Sequence, residues 1–165
     1  MLIRAYRPSS KDDLPGVLFF HGGGWVLNSV RTHDHVARAI ARESGCVIFS
    51  VEYCLAPEHP FPAAVHDAWK ATRWVYQHAR DLNVRTDGVG VFGDSSGATL
   101  AAVVAHLANQ SQQVQILCQV LAYPAVDHWS AGFESYEEMG TEYSLTKDLL
   151  IWFWRHYLHS DEPPN

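Results

Sequence analysis

With 165 residues, 47% of them apolar, the chain is long enough to bury the core of one domain. Its net charge of −6, without any cluster of Lys and Arg, argues against a nucleic acid or an anionic membrane surface as partner. No apolar run approaches the roughly 18 residues of a membrane span, and residues 1–13 lack the apolar stretch of a secretion signal.

Apolar periodicity along the chain predicts strands and helices in alternation. The run at 16–21 is continuously apolar, which is typical of a strand that is buried on both faces. The predicted strands are residues 3–8, 16–21, 46–53, 88–93 and 115–124, and the predicted helices are residues 34–45, 62–80 and 96–109. This alternation predicts an α/β fold, with a mostly parallel sheet and helices on both of its faces.

The periodic pattern is lost between Asp127 and Ser144, where aromatic, acidic and glycine residues follow one another. Thr146 then has the position of an N-cap, and Asp148 lies in the first turn of the helix that it starts. One face of this last helix is strongly apolar and must pack against another part of the molecule: Leu150, Phe153, Trp154 and Tyr157.

The cysteines and histidines do not form the pattern of a metal site or of a disulfide framework. Cys46, Cys54 and Cys118 are odd in number and lie in apolar surroundings, which predicts reduced core cysteines of a cytoplasmic protein. The histidines are not grouped with cysteines at zinc-ligand spacing, and His33 and His35 fall on different sides of a helix. We therefore expect no metal.

A serine motif stands where a predicted strand turns directly into a predicted helix, and it reads Gly93, Asp94, Ser95, Ser96, Gly97. So sharp a turn strains the backbone of Ser95 and holds its hydroxyl at the carboxyl end of the sheet, where α/β proteins place their sites. The helix begins at Ser96, so its free N–H groups face any oxyanion formed at Ser95. The motif predicts a nucleophile elbow; the alternative is a glycine-flanked serine in an ordinary turn.

A second glycine loop, HGGGW at 21–25, follows the buried strand 16–21. Three glycines let backbone amides approach a substrate without interference from Cβ atoms. Ester cleavage needs such donors where the tetrahedral oxygen becomes charged, each worth roughly 3–4 kcal/mol in the transition state. Glycine loops also bind phosphate, but neither loop has the lysine of a P-loop or the spacing of a dinucleotide fingerprint. Together the two loops favour ester hydrolysis.

The motifs HGGGW, YCLAPEHPFPAA (53–64) and GDSSG resemble, in order and spacing, the hormone-sensitive-lipase-like branch (family IV) of the α/β-hydrolases. Residues 121–127 and 143–158 also resemble later segments of that branch, so the resemblance covers nearly the whole chain. It implies a three-layer α/β-hydrolase sandwich. It also implies a carboxylesterase or lipase that acts on short-to-medium acyl esters without a cofactor.

The resemblance can be carried over to individual residues. It implies a catalytic Ser95, an oxyanion hole made by the amides of Gly23, Gly24 and Ser96, and supporting roles for His21, Gly22 and Asp94. His21 would hold the glycine loop in place rather than act as a base. Cys54 stands where the family usually has arginine, and we expect this difference to alter a structural contact and not the chemistry.

In this family the triad acid and histidine follow later strands, in a DPL-like turn and an HGF-like segment. Neither segment occurs here, and Met1 falls about where the family's second strand starts. The resemblance thus implies that residues 1–165 are a partial catalytic domain, incomplete at the C-terminal edge of the sheet, with 127–160 next to the cap or lid. The triad Asp and His are expected beyond Asn165, and the chain alone is expected to be inactive as an enzyme, apart from the residual acceleration that an oxyanion hole and binding provide.

Residues within the chain are an alternative source of the acid and the base. Asp127 follows the strand 115–124, a position from which some other α/β-hydrolases supply the acid, although a turn acid is the favoured interpretation. His128 is too close to Asp127 in sequence to line up with it easily. His156 and His159 lie at or beyond the end of the last helix, where histidines are more often solvated or cap the helix.

The partner implied by the resemblance is a small-molecule ester, whose acyl length and alcohol the sequence does not identify. Five aromatic residues are candidates for an acyl pocket, or else pack in the core and cap: Trp25, Trp129, Phe133, Tyr136 and Trp154. Loss of the last strands would expose a sheet edge and an apolar face. We therefore expect either a complementing C-terminal fragment or self-association.

Two other functions are open at this point. The gibberellin receptors of plants resemble the same family, keep the nucleophile motif and have lost the catalytic histidine. By that analogy the chain is a non-catalytic protein that binds a small ligand over the glycine loop. The remaining possibility is an inactive truncation, which would show neither binding nor turnover.

Overall fold

The computed structural model describes residues 1–138, 140–141 and 143–160, and its elements follow the predicted alternation. The strands are β1 (Leu2–Tyr6), β2 (Gly16–Phe20), β3 (Val47–Glu52), β4 (Val89–Asp94) and β5 (Ile116–Ala122). The helices are α1 (Asp34–Ser44), α2 (Ala63–Gln77), α3 (Ser96–Ser111), α4 (Ser135–Glu138) and α5 (Lys147–Leu158). A 3-10 turn at Trp129–Ala131 precedes α4. None of the described helices is long and apolar enough to cross a bilayer.

The five strands form one sheet in the order β1-β3-β2-β4-β5. Strands β2 to β5 run parallel to one another, whereas β1 pairs with β3 in the antiparallel direction. Residues 7–15 connect β1 to β2 without a crossover helix, so the chain enters β2 in the direction opposite to β1. The parallel register pairs Phe20 with Gly93, which brings the ends of β2 and β4 side by side.

Side chains of β2 alternate between the two faces of the sheet, and both faces are covered. Leu18 and Phe20 belong to the larger core cluster, together with apolar residues of α2 and α3. Phe19 points to the other face and packs in a cluster with Ala37 and Ala41 of α1. All three β2 side chains are fully buried, each stabilising the fold by about 1.5–3 kcal/mol. The three-layer α/β arrangement predicted from the sequence is therefore confirmed.

Helix α5 packs its aromatic face against the glycine loop. It begins as predicted, with Oγ1 of Thr146 accepting a hydrogen bond from the N–H of Leu149 at 3.2 Å. The ring of Tyr157 stacks on the buried ring of Trp25, with their centroids 4.2 Å apart. Trp154 approaches the same indole at 4.8 Å. The last helix thus contacts the loop that follows β2.

Strand β5 has a neighbour on one side only, and its side chains are largely exposed. Leu117 and Val120 are 50% and 54% exposed, as expected for the edge of a sheet. This exposure corrects the prediction of core cysteines, because Cys118 lies on β5 and is exposed, while Cys46 and Cys54 are only half-buried. All three thiols are free.

Candidate active site

Ser95 occupies the sharp turn between β4 and α3, with φ of 52° and ψ of −124°. Residues other than glycine rarely adopt this region, and such strain is concentrated at functional sites. The N–H of Ser95 donates to the carbonyl of Ala122 at 2.9 Å, so the end of β5 holds the turn. A Cβ atom at Gly93 or Gly97 would lie 2.3 or 2.0 Å from backbone atoms. The turn therefore has the tight, strained geometry that a nucleophile elbow requires.

The glycine loop after β2 lies directly beside this turn. Gly23 and Gly24 have φ values of +129° and +61°, which favour glycine. A Cβ atom on Gly24 would lie 2.2 Å from the ring of Phe153, so α5 leaves no room for a side chain there. The N–H of Gly22 donates to Oδ1 of Asp94 at 3.0 Å, which joins the loop to the end of β4.

His21 is the first residue of the glycine loop, and its side chain is fully buried. Its Nδ1 is 2.9 Å from the carbonyl oxygen of Gly22, to which it donates, and its ring stacks on Tyr53 at 4.4 Å. The Tyr53 hydroxyl donates to the carbonyl of His21 at 2.6 Å. Burial lowers the pKa of the His21 imidazole below its ordinary value. His21 therefore contacts the backbone at the start of the glycine loop, and its supporting role stays a prediction.

The buried imidazole of His21 is expected to make the protein less stable in mild acid. Its pKa is lowered from 6.5 in the folded state, so the unfolded chain binds more protons below that pH. The contribution of the neutral His21 ring to the free energy of unfolding is fully present above about pH 6.5 and is lost as the pH decreases. His128 contributes in the same direction, because burial lowers its pKa as well. Urea unfolding at about pH 5.5 and about pH 7.5 measures this difference.

The matched variants are His21→Asn, which should reduce this pH dependence, and His35→Asn, which removes an exposed histidine of α1 and should leave it unchanged. An equal pH dependence in wild type and His21→Asn would contradict the assignment.

One cavity of about 640 Å³ joins the two loops. Gly23, Gly24, Ser95 and Ser96 line it together, so the structure brings the predicted nucleophile and the predicted oxyanion donors to the same space. Its remaining walls are mainly apolar and come from residues 123–127 after β5, from the segment around α4, and from α5 with the residues just before it. The cavity is thus suited to an apolar group attached to a carbonyl.

Three of the five aromatic residues that we proposed for the acyl pocket line the cavity, and two do not. Trp25, Phe133 and Tyr136 line the cavity, whereas Trp154 packs against Trp25 in the core. Trp129 is half-buried beside His128 and does not line the cavity. Further wall residues were not predicted from the sequence: Tyr123, Leu145, Leu150 and Phe153. Two features of the sequence could have pointed to some of them. Tyr123 directly follows a predicted strand, and Leu150 and Phe153 lie on the apolar face of the last helix.

Asp127 lines the cavity, and its Oδ1 accepts a hydrogen bond from the N–H of His128 at 2.8 Å. The His128 ring is buried against Trp129 and Trp154, and its Nδ1 lies 2.8 Å from the hydroxyl of Ser130. In the part of the chain that the structure describes, no histidine lines the cavity. Nor do three His, Cys, Asp or Glu side chains of that part come together as metal ligands.

Comparison with known proteins identifies the same architecture. The family described as having the alpha/beta hydrolase fold matches residues 17–165. A solved esterase of Pyrobaculum calidifontis superposes with a TM-score of 0.92 at 46% identity, covering 96% of this chain and 53% of that one. The thermophilic carboxylesterase EstE1, from a metagenomic library, gives a TM-score of 0.93 at 43% identity, covering 96% of this chain and 55% of that one.

Relatives known by activity are also similar in sequence. Esterase LipI of Mycobacterium tuberculosis is 39% identical over 98% of this chain and 52% of its own length. The ethyl acetate hydrolase of Pseudomonas putida is 36% identical over 94% of this chain and 50% of its own length. The chain therefore spans about half the length of these relatives. With residues 17–165 matched and the fold shared, the chain belongs to the α/β-hydrolase family, in its hormone-sensitive-lipase-like branch.

Proposed function

We propose that this chain supplies the nucleophile and the oxyanion hole of a serine carboxylesterase that acts on short-to-medium acyl esters. The observation that carries the proposal is the shared cavity, in which Ser95 lies with the backbone of Gly23, Gly24 and Ser96. The strained turn at Ser95 and the apolar cavity walls support it. The esterase activity named for the relatives gives the reaction class.

In the proposed reaction Oγ of Ser95 attacks the ester carbonyl carbon and forms a tetrahedral intermediate. The amides of Gly23, Gly24 and Ser96 donate hydrogen bonds to its oxyanion, at the positive N-terminal end of α3. The intermediate collapses and the alkoxide leaves with the proton that the base took from Ser95. Water, which gives a proton to the same base, then hydrolyses the acyl group, and that proton returns to Oγ of Ser95. His21, Gly22 and Asp94 support the two loops.

The reaction also needs a base that takes the proton of Ser95, and none of the described cavity residues is a histidine. The relatives contain about as much chain again as the part matched here. We propose that residues which complete the fold supply the triad acid and base, and that they cover β5, the exposed edge strand. Residues 127–160, which form a wall of the cavity, would lie next to the cap.

A series of p-nitrophenyl esters, from acetate to hexadecanoate, tests the proposed function on the purified chain. The butyrate and octanoate esters are expected to be cleaved fastest, because the cavity holds an apolar chain of limited length. Without a triad base, the oxyanion hole and binding alone support an acceleration of roughly 10³-fold over buffer. Rates equal to buffer for every ester would contradict the proposal.

The absence of a histidine from the described cavity lining also favours a second candidate, a protein that binds a small apolar ligand without turnover. The same p-nitrophenyl esters distinguish the two. Saturable binding of an ester that is recovered intact would favour the binding protein, whereas release of p-nitrophenol favours the esterase.

A further inference from the structure

Asp94 directly precedes Ser95, yet its carboxylate contacts the other loop of the site. Its Oδ1 accepts the Gly22 N–H at 3.0 Å, although the two residues are 72 positions apart in sequence. A Cβ atom on Gly22 would lie 2.4 Å from Oδ2 and 2.9 Å from the backbone oxygen of Asp94. The last residue of β4 thus sits against the first glycine of the loop.

The second oxygen of Asp94 faces His33, which precedes the first turn of α1. Oδ2 lies 3.7 Å from Nε2 of His33, and the two side chains are only 19% and 16% exposed. On its other side the His33 ring is held by Thr32, whose Oγ1 lies 3.1 Å from Nδ1. That hydroxyl gives its own proton to the carbonyl of Ser29, so Nδ1 of His33 is the donor. With Nδ1 anchored in this way, the Nε2 edge of the ring faces the carboxylate of Asp94.

We propose that Asp94 and His33 are positioning residues that fix the glycine loop against the nucleophile turn. Asp94 holds the Gly22 amide directly, and His33 acts through Asp94 by fixing its second oxygen. The contacts Gly22–Asp94–His33 are called the bridge below. This inference rests on the proposed function, because it gives the bridge a role in aligning the oxyanion donors of Gly23 and Gly24.

The bridge contributes to the transition state more than to substrate binding. The amides of Gly23 and Gly24 follow Gly22 in the chain, so release of Gly22 allows both donors to leave the position where the oxyanion forms. Complete loss of one such donor costs roughly 10²–10³ in kcat, and misalignment is expected to cost about tenfold or more. Because the ester's apolar group binds elsewhere in the cavity, KM should change little.

The test combines amide hydrogen exchange at Gly22, followed by NMR, with the rate at which a fluorophosphonate labels the chain. In Asp94→Ala the Gly22 amide is expected to exchange at least about tenfold faster, because it loses a charged acceptor. Asp94→Asn keeps an acceptor oxygen and should show a smaller increase. His33→Leu should also raise exchange at Gly22. Asp81→Ala removes an exposed carboxylate that lies outside both loops and should leave exchange and labelling as in wild type.

The outcomes separate this inference from the proposed function. Unchanged Gly22 exchange in Asp94→Ala, or in Asp94→Asn and His33→Leu if the alanine variant does not fold, overturns the bridge. Faster exchange together with an unchanged labelling rate overturns its positioning role. A wild-type chain that is not labelled at all contradicts the proposed function, while the exchange data still decide whether the bridge exists.

Discussion

Replacing Ser95 with alanine is expected to reduce covalent labelling of the chain by a fluorophosphonate to background. The reagent forms a bond with a serine oxygen, and Ser95 is the serine whose strained turn places it in the cavity with the glycine loop. The tetrahedral adduct also carries an oxygen that the backbone amides of the two loops can stabilise. Intact-mass spectrometry after long incubation measures the labelled fraction without requiring turnover.

Ser111→Ala is the matched control, because it removes an exposed hydroxyl at the far end of α3. This variant should be labelled like wild type. Added imidazole should accelerate labelling of wild type, since no histidine lines the described cavity and a positioned base contributes 10²–10⁴-fold in enzymes. Labelling of Ser95→Ala above background, at the level of wild type, would show that the reactive serine lies elsewhere.

Gly97→Ala is expected to destabilise the protein by about 2 kcal/mol. The new Cβ atom would lie 2.0 Å from the carbonyl oxygen of Phe20 and 2.5 Å from that of His21. Both contacts are with backbone oxygens, which cannot move aside as the end of a flexible side chain can. Overpacking of this kind costs up to about 3 kcal/mol. The better helix propensity of alanine offsets about 1 kcal/mol of that cost. Urea unfolding gives the difference in the free energy of unfolding.

Gly45→Ala provides the comparison, since a Cβ atom there would meet nothing within 4 Å. Gly45 has φ of +71°, so alanine at this position carries only the left-handed backbone strain of about 1 kcal/mol. Gly97→Ala should also move α3 away from the end of β2, and its labelling should fall with its stability. A loss no greater than that of Gly45→Ala would mean that β2 and α3 can move apart without cost.

The features predicted from the sequence are those with a local physical signal. The continuous apolar run of β2 reports burial on both faces, and Phe19 indeed packs on the face opposite to Leu18. Gly45 ends α1 in the left-handed conformation, with its N–H bonded to the carbonyl of Ala41. The N-cap at Thr146 is likewise encoded within one helical turn.

Features that depend on distant parts of the chain were not predicted. Phe153 packs on Gly24 because α5 folds back over the glycine loop, and periodicity gives only the apolar face of α5, not its target. The contact between His33 and Asp94 depends on how α1 and β4 meet, which no spacing rule encodes. Cys118 was expected in the core because its neighbours are apolar, but β5 is the edge of the sheet.

The neighbouring positions of β2 and β4 also bear on when the site forms during folding. A complete strand, β3, and two helices lie between them in the chain, so their pairing closes a long loop. Contacts of such large sequence separation form slowly, because chain entropy must be lost before they contribute. Helix formation within α2 or α3 does not require this closure. Serine reactivity would therefore be acquired late, and its recovery after dilution from urea would report completion of the central sheet.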